Sequence, residues 1–282
     1  MTSTLEFTTI TSDGAAHRVA ELGTGPAVVL IHGFPDTPMS WEHTARQVAD
    51  LGFRAVVPYL RGYHPDTIIE GRGYGRAETG ADVIGLLDAL DIERATLVGH
   101  DFGASLVWNA LGLAPERVDG VVPIAIPHPS TLKPSPGFIW MARHFINFKV
   151  PGALGRMQRN DFAYLDRLYE RWSPSWSGAE QAAAVARAKE AFGDERVARE
   201  VVERYKDVRP EKSSAATGSI PTRALLVAGS DDFGGDLAPY RRSVELFAEP
   251  SSLFVAEGAG HWPHRERSDE FDQALAEFLA AT

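Results

Sequence analysis

The 282-residue chain has no cysteine, which excludes disulfides, a thiolate nucleophile and any cysteine-ligated metal. It has no apolar run near the roughly 18 residues that a membrane span needs. Its first residues, MTSTLEFTTI, lack the basic and apolar stretches of a secretory signal, so a soluble cytoplasmic protein is expected. Its histidines lack metal-ligand spacing such as H-E-x-x-H, so no metal is expected. Positive charge is scarce: 28 Lys and Arg stand against 38 Asp and Glu, for a net charge of −10. Such a chain is a poor match to a phosphate backbone, which argues against nucleic acid as a partner. What is present is ordinary for a folded chain, with 44% hydrophobic and 23% charged residues. The length suits one large domain, or one core with an insertion.

Short apolar runs alternate with helical patterns, which predicts an α/β fold with a mostly parallel sheet. Ala27–Ile31 is continuously apolar, as a strand covered on both faces should be. Phe53–Val57, Ala95–Val98, Val121–Ile126 and Arg223–Ala228 resemble it, and Ser252–Val255 is a weaker final strand. Leu5–Ile10 and Val19–Leu22 suit an antiparallel pair at the sheet edge. Helices are predicted over Trp41–Leu51, Gly80–Leu90, Phe102–Leu113 and Ser268–Ala281. The rhythm breaks between Pro127 and Gly218, where helical stretches rich in aromatics, Arg and Ala replace the strands. The expected organisation is a core over 1–126, a helical cap over 127–218 and the rest of the core over 219–282. A cap inserted there covers the strand ends, where open sheets bind ligands.

The sharpest motif is Val98-Gly99-His100-Asp101-Phe102-Gly103-Ala104, between a predicted strand and a predicted helix. Glycines on both sides permit the tight turn that projects a nucleophile at a helix N-terminus. The central residue is Asp101, and a helix N-terminus favours a carboxylate. An aspartate there can attack an sp³ carbon and form an alkyl ester, or it can merely cap the helix. His32-Gly33-Phe34-Pro35-Asp36 follows the Ala27–Ile31 strand. In this fold such a loop supplies a backbone N–H, here from Phe34, which pairs with the Phe102 N–H as an oxyanion hole. His32 is expected to be a structural hydrogen-bonder. Gly258-Ala259-Gly260-His261-Trp262 offers His261 as general base. The acid should follow the preceding strand, in Gly229-Ser230-Asp231-Asp232; Asp232 is preferred over Asp231 and lies 29 residues before His261.

These motifs, with Leu60-Arg61-Gly62-Tyr63, make the chain resemble an α/β-hydrolase of the epoxide hydrolase and haloalkane dehalogenase group. The resemblance spans the core. It implies two cap donors, usually tyrosines, that bond to an epoxide oxygen and protonate it as the ring opens. His144-Phe145-Ile146-Asn147-Phe148-Lys149-Val150-Pro151-Gly152 is similar to the family segment carrying the first donor and puts His144 in its place. Glu203-Arg204-Tyr205-Lys206-Asp207 resembles the second and puts Tyr205 there. Val197, Val201 and Tyr205 share one helix face, as do Met141, His144 and Phe148, so both donors should point inward. Phe34, Phe102 and Trp262 are expected to touch substrate, which the resemblance makes a small, mostly apolar epoxide consumed with water and without cofactor.

A haloalkane dehalogenase would share the nucleophile and base but needs N–H donors for halide. The usual donor positions here are Phe34 and Phe102, which offer none, though Trp140, Trp172, Trp176 or Trp262 could donate. A fluoroacetate-type enzyme needs arginines just after the nucleophile, and none is there. A serine esterase is disfavoured by Asp101. A non-catalytic binder of a hydrophobic small molecule has no need of all three catalytic groups. A homodimer is compatible with the sequence. The net charge divides unevenly: residues 127–218 carry 15 Lys/Arg and 11 Asp/Glu (+4), and the rest carry 13 and 27 (−14). Opposite signs predict some electrostatic help in seating the cap.

Overall fold

The computed structural model describes residues 5–12, 14–133, 143–207 and 217–281, with the backbone alone for residues 143, 233 and 234. Met141 and Trp140 lie outside the described residues. The chain builds one eight-stranded sheet: β1 (Phe7–Ser12), β2 (Ala15–Leu22), β3 (Ala27–Ile31), β4 (Arg54–Pro58), β5 (Ala95–His100), β6 (Val118–Ile124), β7 (Arg223–Gly229) and β8 (Ser252–Ala256). Their spatial order is β1-β2-β4-β3-β5-β6-β7-β8. The β1–β2 and β2–β4 pairs are antiparallel and the other five are parallel.

Every residue of β3 is buried, because both sheet faces are covered. Its alternate side chains serve two cores. Val29 and Ile31 pack in the cluster containing α2 (Arg76–Ala89) and α3 (Phe102–Leu113); Val28 and Leu30 pack with α1 (Glu42–Asp50). β6 starts at Val118 rather than Val121, through an Asp119-Gly120 step that reads poorly as strand: the register against β5 shifts there, Ala95 facing Val118 and Thr96 facing Gly120, so Asp119 is a bulge. α2 starts at Arg76 rather than Gly80, after Gly75 in extended conformation.

Among the described residues, four α-helices lie between β6 and β7: α4 (Arg143–Lys149), α5 (Ala153–Trp172), α6 (Ala179–Gly193) and α7 (Glu195–Asp207). α7 is strongly amphipathic, with Val197, Val201 and Tyr205 all buried on its inner face. These residues, with Phe148, Leu165 and Phe192, join the same apolar cluster as Phe34 and Phe102 of the sheet layer. The remaining helices are α8 (Ala238–Val244), the single turn α9 (Pro263–Glu266) and α10 (Ser268–Ala280). No helix among the described residues is long and apolar enough to cross a membrane.

Candidate active site

The strand order places β3 beside β5, with Ile31 opposite Gly99, so the loops that follow these two strands meet. There the chain reverses direction across the sheet, which is where open α/β sheets bind ligands. Asp101 sits on that turn with φ 53° and ψ −113°, a conformation a non-glycine residue rarely adopts. The close fit needs glycine. A Cβ on Gly103 would lie 2.1 Å from the Ile31 carbonyl oxygen, and one on Gly33 would lie 2.5 Å from the Asp101 Cβ.

The Asp101 side chain makes no capping hydrogen bond to its own helix. Its Oδ1 accepts the Phe34 N–H at 2.8 Å, and its Oδ2 lies 3.4 Å from His261 Nε2. The other ring nitrogen, His261 Nδ1, lies 2.9 Å from Asp232 Oδ2. All three side chains are buried, whereas Asp231 is exposed. Asp101, His261 and Asp232 therefore form one chain of contacts, with the imidazole between two carboxylates. The Phe102 N–H opens α3 beside this group, in the first turn where N–H groups have no intrahelical acceptor.

Environment sets the charges. Burial alone would lower the His261 pKa, but the Asp232 and Asp101 carboxylates outweigh it and hold the imidazole above its ordinary range. Burial alone would raise Asp101, but its contact with His261 and the Phe34 N–H keep it below the usual carboxylate range. His32 behaves otherwise. Burial drives it down to about 3, and its Nε2 accepts the Leu60 N–H at 3.1 Å, so it is a neutral brace for the loop after β4.

Rings from the helices between β6 and β7 surround this group. Tyr205 stacks on Phe148 at 4.3 Å between centroids and meets Phe34 at 5.1 Å and Phe102 at 4.9 Å. His144 lies 5.7 Å from Tyr205 and 4.8 Å from Trp172, and both His144 and Tyr205 are buried. Burial, then the nearby Asp101 charge, push the Tyr205 phenol well above its ordinary range, which keeps it a neutral hydrogen-bond donor. Trp262 is fully buried and stacked on Tyr169 at 4.2 Å, so it packs the seam between cap and core.

Three residues not assigned from sequence also build the site. Trp172, at the end of α5, accepts the His261 N–H on its carbonyl at 2.9 Å and sets its ring 4.8 Å from the imidazole. Ser173 Oγ accepts the same N–H at 2.9 Å. The Trp172 contact has no sequence signature, since a backbone carbonyl carries no residue identity, and Ser173 is a lone serine outside any motif. Arg204 is buried and donates to the Arg61 carbonyl at 2.7 Å, with its guanidinium over Tyr74 at 4.3 Å. Its neighbours in sequence mark it only as part of an amphipathic helix. Among the described residues no group of three or more His, Asp or Glu side chains is arranged to hold a metal.

Residues 26–268 match the family model described as alpha/beta hydrolase fold. The chain belongs to that family. This hydrolase is 28% identical to epoxide hydrolase A of Mycobacterium tuberculosis, with 96% of each chain covered. It is 42% identical to an epoxide hydrolase of Caballeronia sordidicola over 119 residues, which spans 36% of that protein. Among solved structures, epoxide hydrolase VrEH1 from Vigna radiata superposes with a TM-score of 0.82 over 99% of both chains, at 23% identity. A likeness at that identity speaks for the fold.

Proposed function

We propose that this hydrolase converts an epoxide to a vicinal diol through an ester on Asp101. The observation that carries the reading is the Phe34 N–H seated 2.8 Å from Asp101 Oδ1. An oxyanion hole built around the nucleophile's own carboxylate serves a reaction in which that carboxylate becomes the ester carbonyl. The names of the relatives support the substrate class.

Asp101 Oδ2 attacks an epoxide carbon, the C–O bond breaks, and its electron pair passes to the epoxide oxygen. That oxygen takes a proton from Tyr205, with His144 as the second donor. Alkylation removes the Asp101 charge, and with it one of the two forces that hold the proton on His261. His261 then releases its proton to solvent, and the neutral imidazole, oriented by Asp232, accepts a proton from water as the water oxygen attacks the ester carbonyl carbon; it regains the solvent proton once Asp101 is a free carboxylate again. Phe34 and Phe102 N–H groups hold the resulting oxyanion. Collapse expels the alkoxide, which is protonated by His261, while the second water proton returns through the Asp101 carboxyl to Tyr205. The substrate is small and mostly apolar, in keeping with the ring-lined approach of Phe34, Phe102, Phe148 and Tyr205.

The test is His261→Gln with a terminal epoxide such as styrene oxide. The expected result is an intact-protein mass increase equal to the substrate, located on Asp101. Wild-type turnover by that variant overturns the reading. One observation favours a second reading. The Trp172 indole N–H is buried without a hydrogen-bond partner among the described residues, and its ring adjoins His261 and His144, as a halide donor would. A panel of bromo- and chloroalkanes decides it, since release of halide without any diol from epoxides selects the dehalogenase. No product from either panel selects a binder without turnover.

A further inference from the structure

The cap holds a cavity of about 270 Å³, near the lower end of small-molecule sites. It is formed by α4 and by both halves of a broken α5. Phe148, Ala153 and Met157 line it and are buried, which gives it an apolar wall. Arg156, Arg159 and Arg167 line it as well, and no Asp or Glu does so among the described residues. Arg156 directs its guanidinium to the carbonyls of Pro151, Asn147 and Val150, at 2.6, 2.7 and 3.2 Å. Arg159 and Arg167 are exposed and have no hydrogen-bond or ion-pair partner among the described residues. Tyr164, also in the lining, has its hydroxyl buried without a partner among the described residues.

The break in α5 shapes the rim. Arg159 turns extended at ψ 140°, and Asn160, Asp161 and Phe162 follow with φ of 53°, 52° and 54°. Three successive non-glycine residues in the left-handed region are strained, and such strain collects at functional sites. The acid inside the break is drawn away: Asp161 Oδ2 lies 3.6 Å from Lys189, which Asp166 also holds at 2.9 Å. The cavity keeps its cations without their nearest counter-charge.

We propose that this cavity binds an organic carboxylate, with the head between Arg159 and Arg167 and an alkyl chain against Phe148 and Met157. The guanidinium fork matches a carboxylate in two-pronged geometry, and the apolar wall selects a chain over a bare inorganic anion. Phe148 joins the pocket to the chemistry. The ring that lines the cavity also stacks on Tyr205 at 4.3 Å and meets Phe34 at 5.4 Å. The carboxylate has two sources, the substrate's own acid group or a separate small acid.

The test is calorimetric titration of the full chain with sodium octanoate, with octan-1-ol as the neutral control. Octanoate is expected to bind about tenfold tighter than the alcohol. Arg159→Gln combined with Arg167→Gln should weaken octanoate about tenfold and leave the alcohol unchanged, since only the charge-assisted pairs are lost. Both side chains are exposed and unpaired, so an unchanged melting temperature certifies the fold. Octanoate binding no tighter than the alcohol, or unaltered in the double variant, overturns the proposal. Binding is read without turnover, so the result stands apart from that of the ester-trapping experiment. An epoxide bearing a carboxylate and its methyl ester then separate the sources. A rise in KM for the acid alone in the double variant assigns the site to substrate. An octanoate effect on the ester's turnover that the double variant loses assigns it to a separate acid.

Discussion

The core and the cap hold their functional groups in different ways. Asp101, Phe34, Asp232 and His261 stand on loops at the carboxyl ends of β5, β3, β7 and β8, where backbone geometry fixes them. Gly33 and Gly103 allow main chains to approach so closely that no side chain fits between. His144 and Tyr205 stand on helix faces and are held by rings: Phe145, Trp172, Phe148, Phe34 and Phe102. The seam between the two regions is held by hydrogen bonds. Tyr169 Oη donates to the Pro35 carbonyl at 2.6 Å, Arg204 to the Arg61 carbonyl at 2.7 Å, and Tyr74 Oη to Glu200 at 2.5 Å. The cap pairs Arg196 with Asp194, Arg199 with Glu195 and Lys206 with Glu203 internally, so its net +4 is not spread as bridges from these residues to the acidic core. A rigid core and a packed cap predict different penalties for single changes.

The largest effect belongs to the core. Asp101→Asn should lower diol formation by about 10⁴-fold or more, with no covalent adduct in mass spectra. Residual turnover near wild type would remove Asp101 as nucleophile and with it the contrast. Next is the cap. Tyr205→Phe should slow ester formation by about 10²-fold, the lower range for a positioned proton donor. His144→Gln should cost less than Tyr205→Phe, because Gln keeps an N–H donor and Phe has none. The hydrolytic step should hardly change in either variant, since its groups are core groups. Ester formation untouched by Tyr205→Phe would reduce the cap to a roof.

This difference also explains what the sequence revealed. The elbow around Asp101, the loop of Phe34 and the order of Asp232 and His261 are legible because backbone constraints demand glycine at set spacings. The sheet was legible for the same kind of reason: β3 and β5 are buried on both faces and so nearly uniform in character. The cap was legible only as periodicity, which put Tyr205 and His144 on inner faces without showing what they meet. Trp172 was hidden because it acts on His261 through its carbonyl. The α5 break at Arg159–Phe162 was hidden because none of its residues is glycine or proline, the usual marks of a bend.

A third effect separates the two half-reactions by pH. Asp101 is held below the ordinary carboxylate range, so ester formation should persist to lower pH than an unperturbed carboxylate would allow. Ester hydrolysis needs neutral His261. The Asp232 carboxylate still favours its cation in the ester, so hydrolysis should slow as pH falls and that cation is populated. The ester fraction in rapid-quench mass spectra should therefore rise as pH is lowered. A fraction that stays constant, or that rises with pH, would rule out His261 as the base.

The smallest effect tests the seam. Arg204 is buried under the cap, and its guanidinium both supplies the Arg61 carbonyl and covers Tyr74 and Phe102, at 4.3 and 5.6 Å. Arg204→Met keeps most of the apolar stem but strips the charge-assisted hydrogen bond and leaves a buried carbonyl unmatched. That should cost about 1–3 kcal/mol, with a fall in Tm of roughly 2–4 °C for each kcal/mol. Because Arg204 touches Phe102 from the cap side, the rate of ester formation should fall with stability while hydrolysis of a preformed ester holds. A loss confined to hydrolysis would mean that the cap steers the core, and the division between a backbone-fixed core and a ring-packed cap would have to be abandoned.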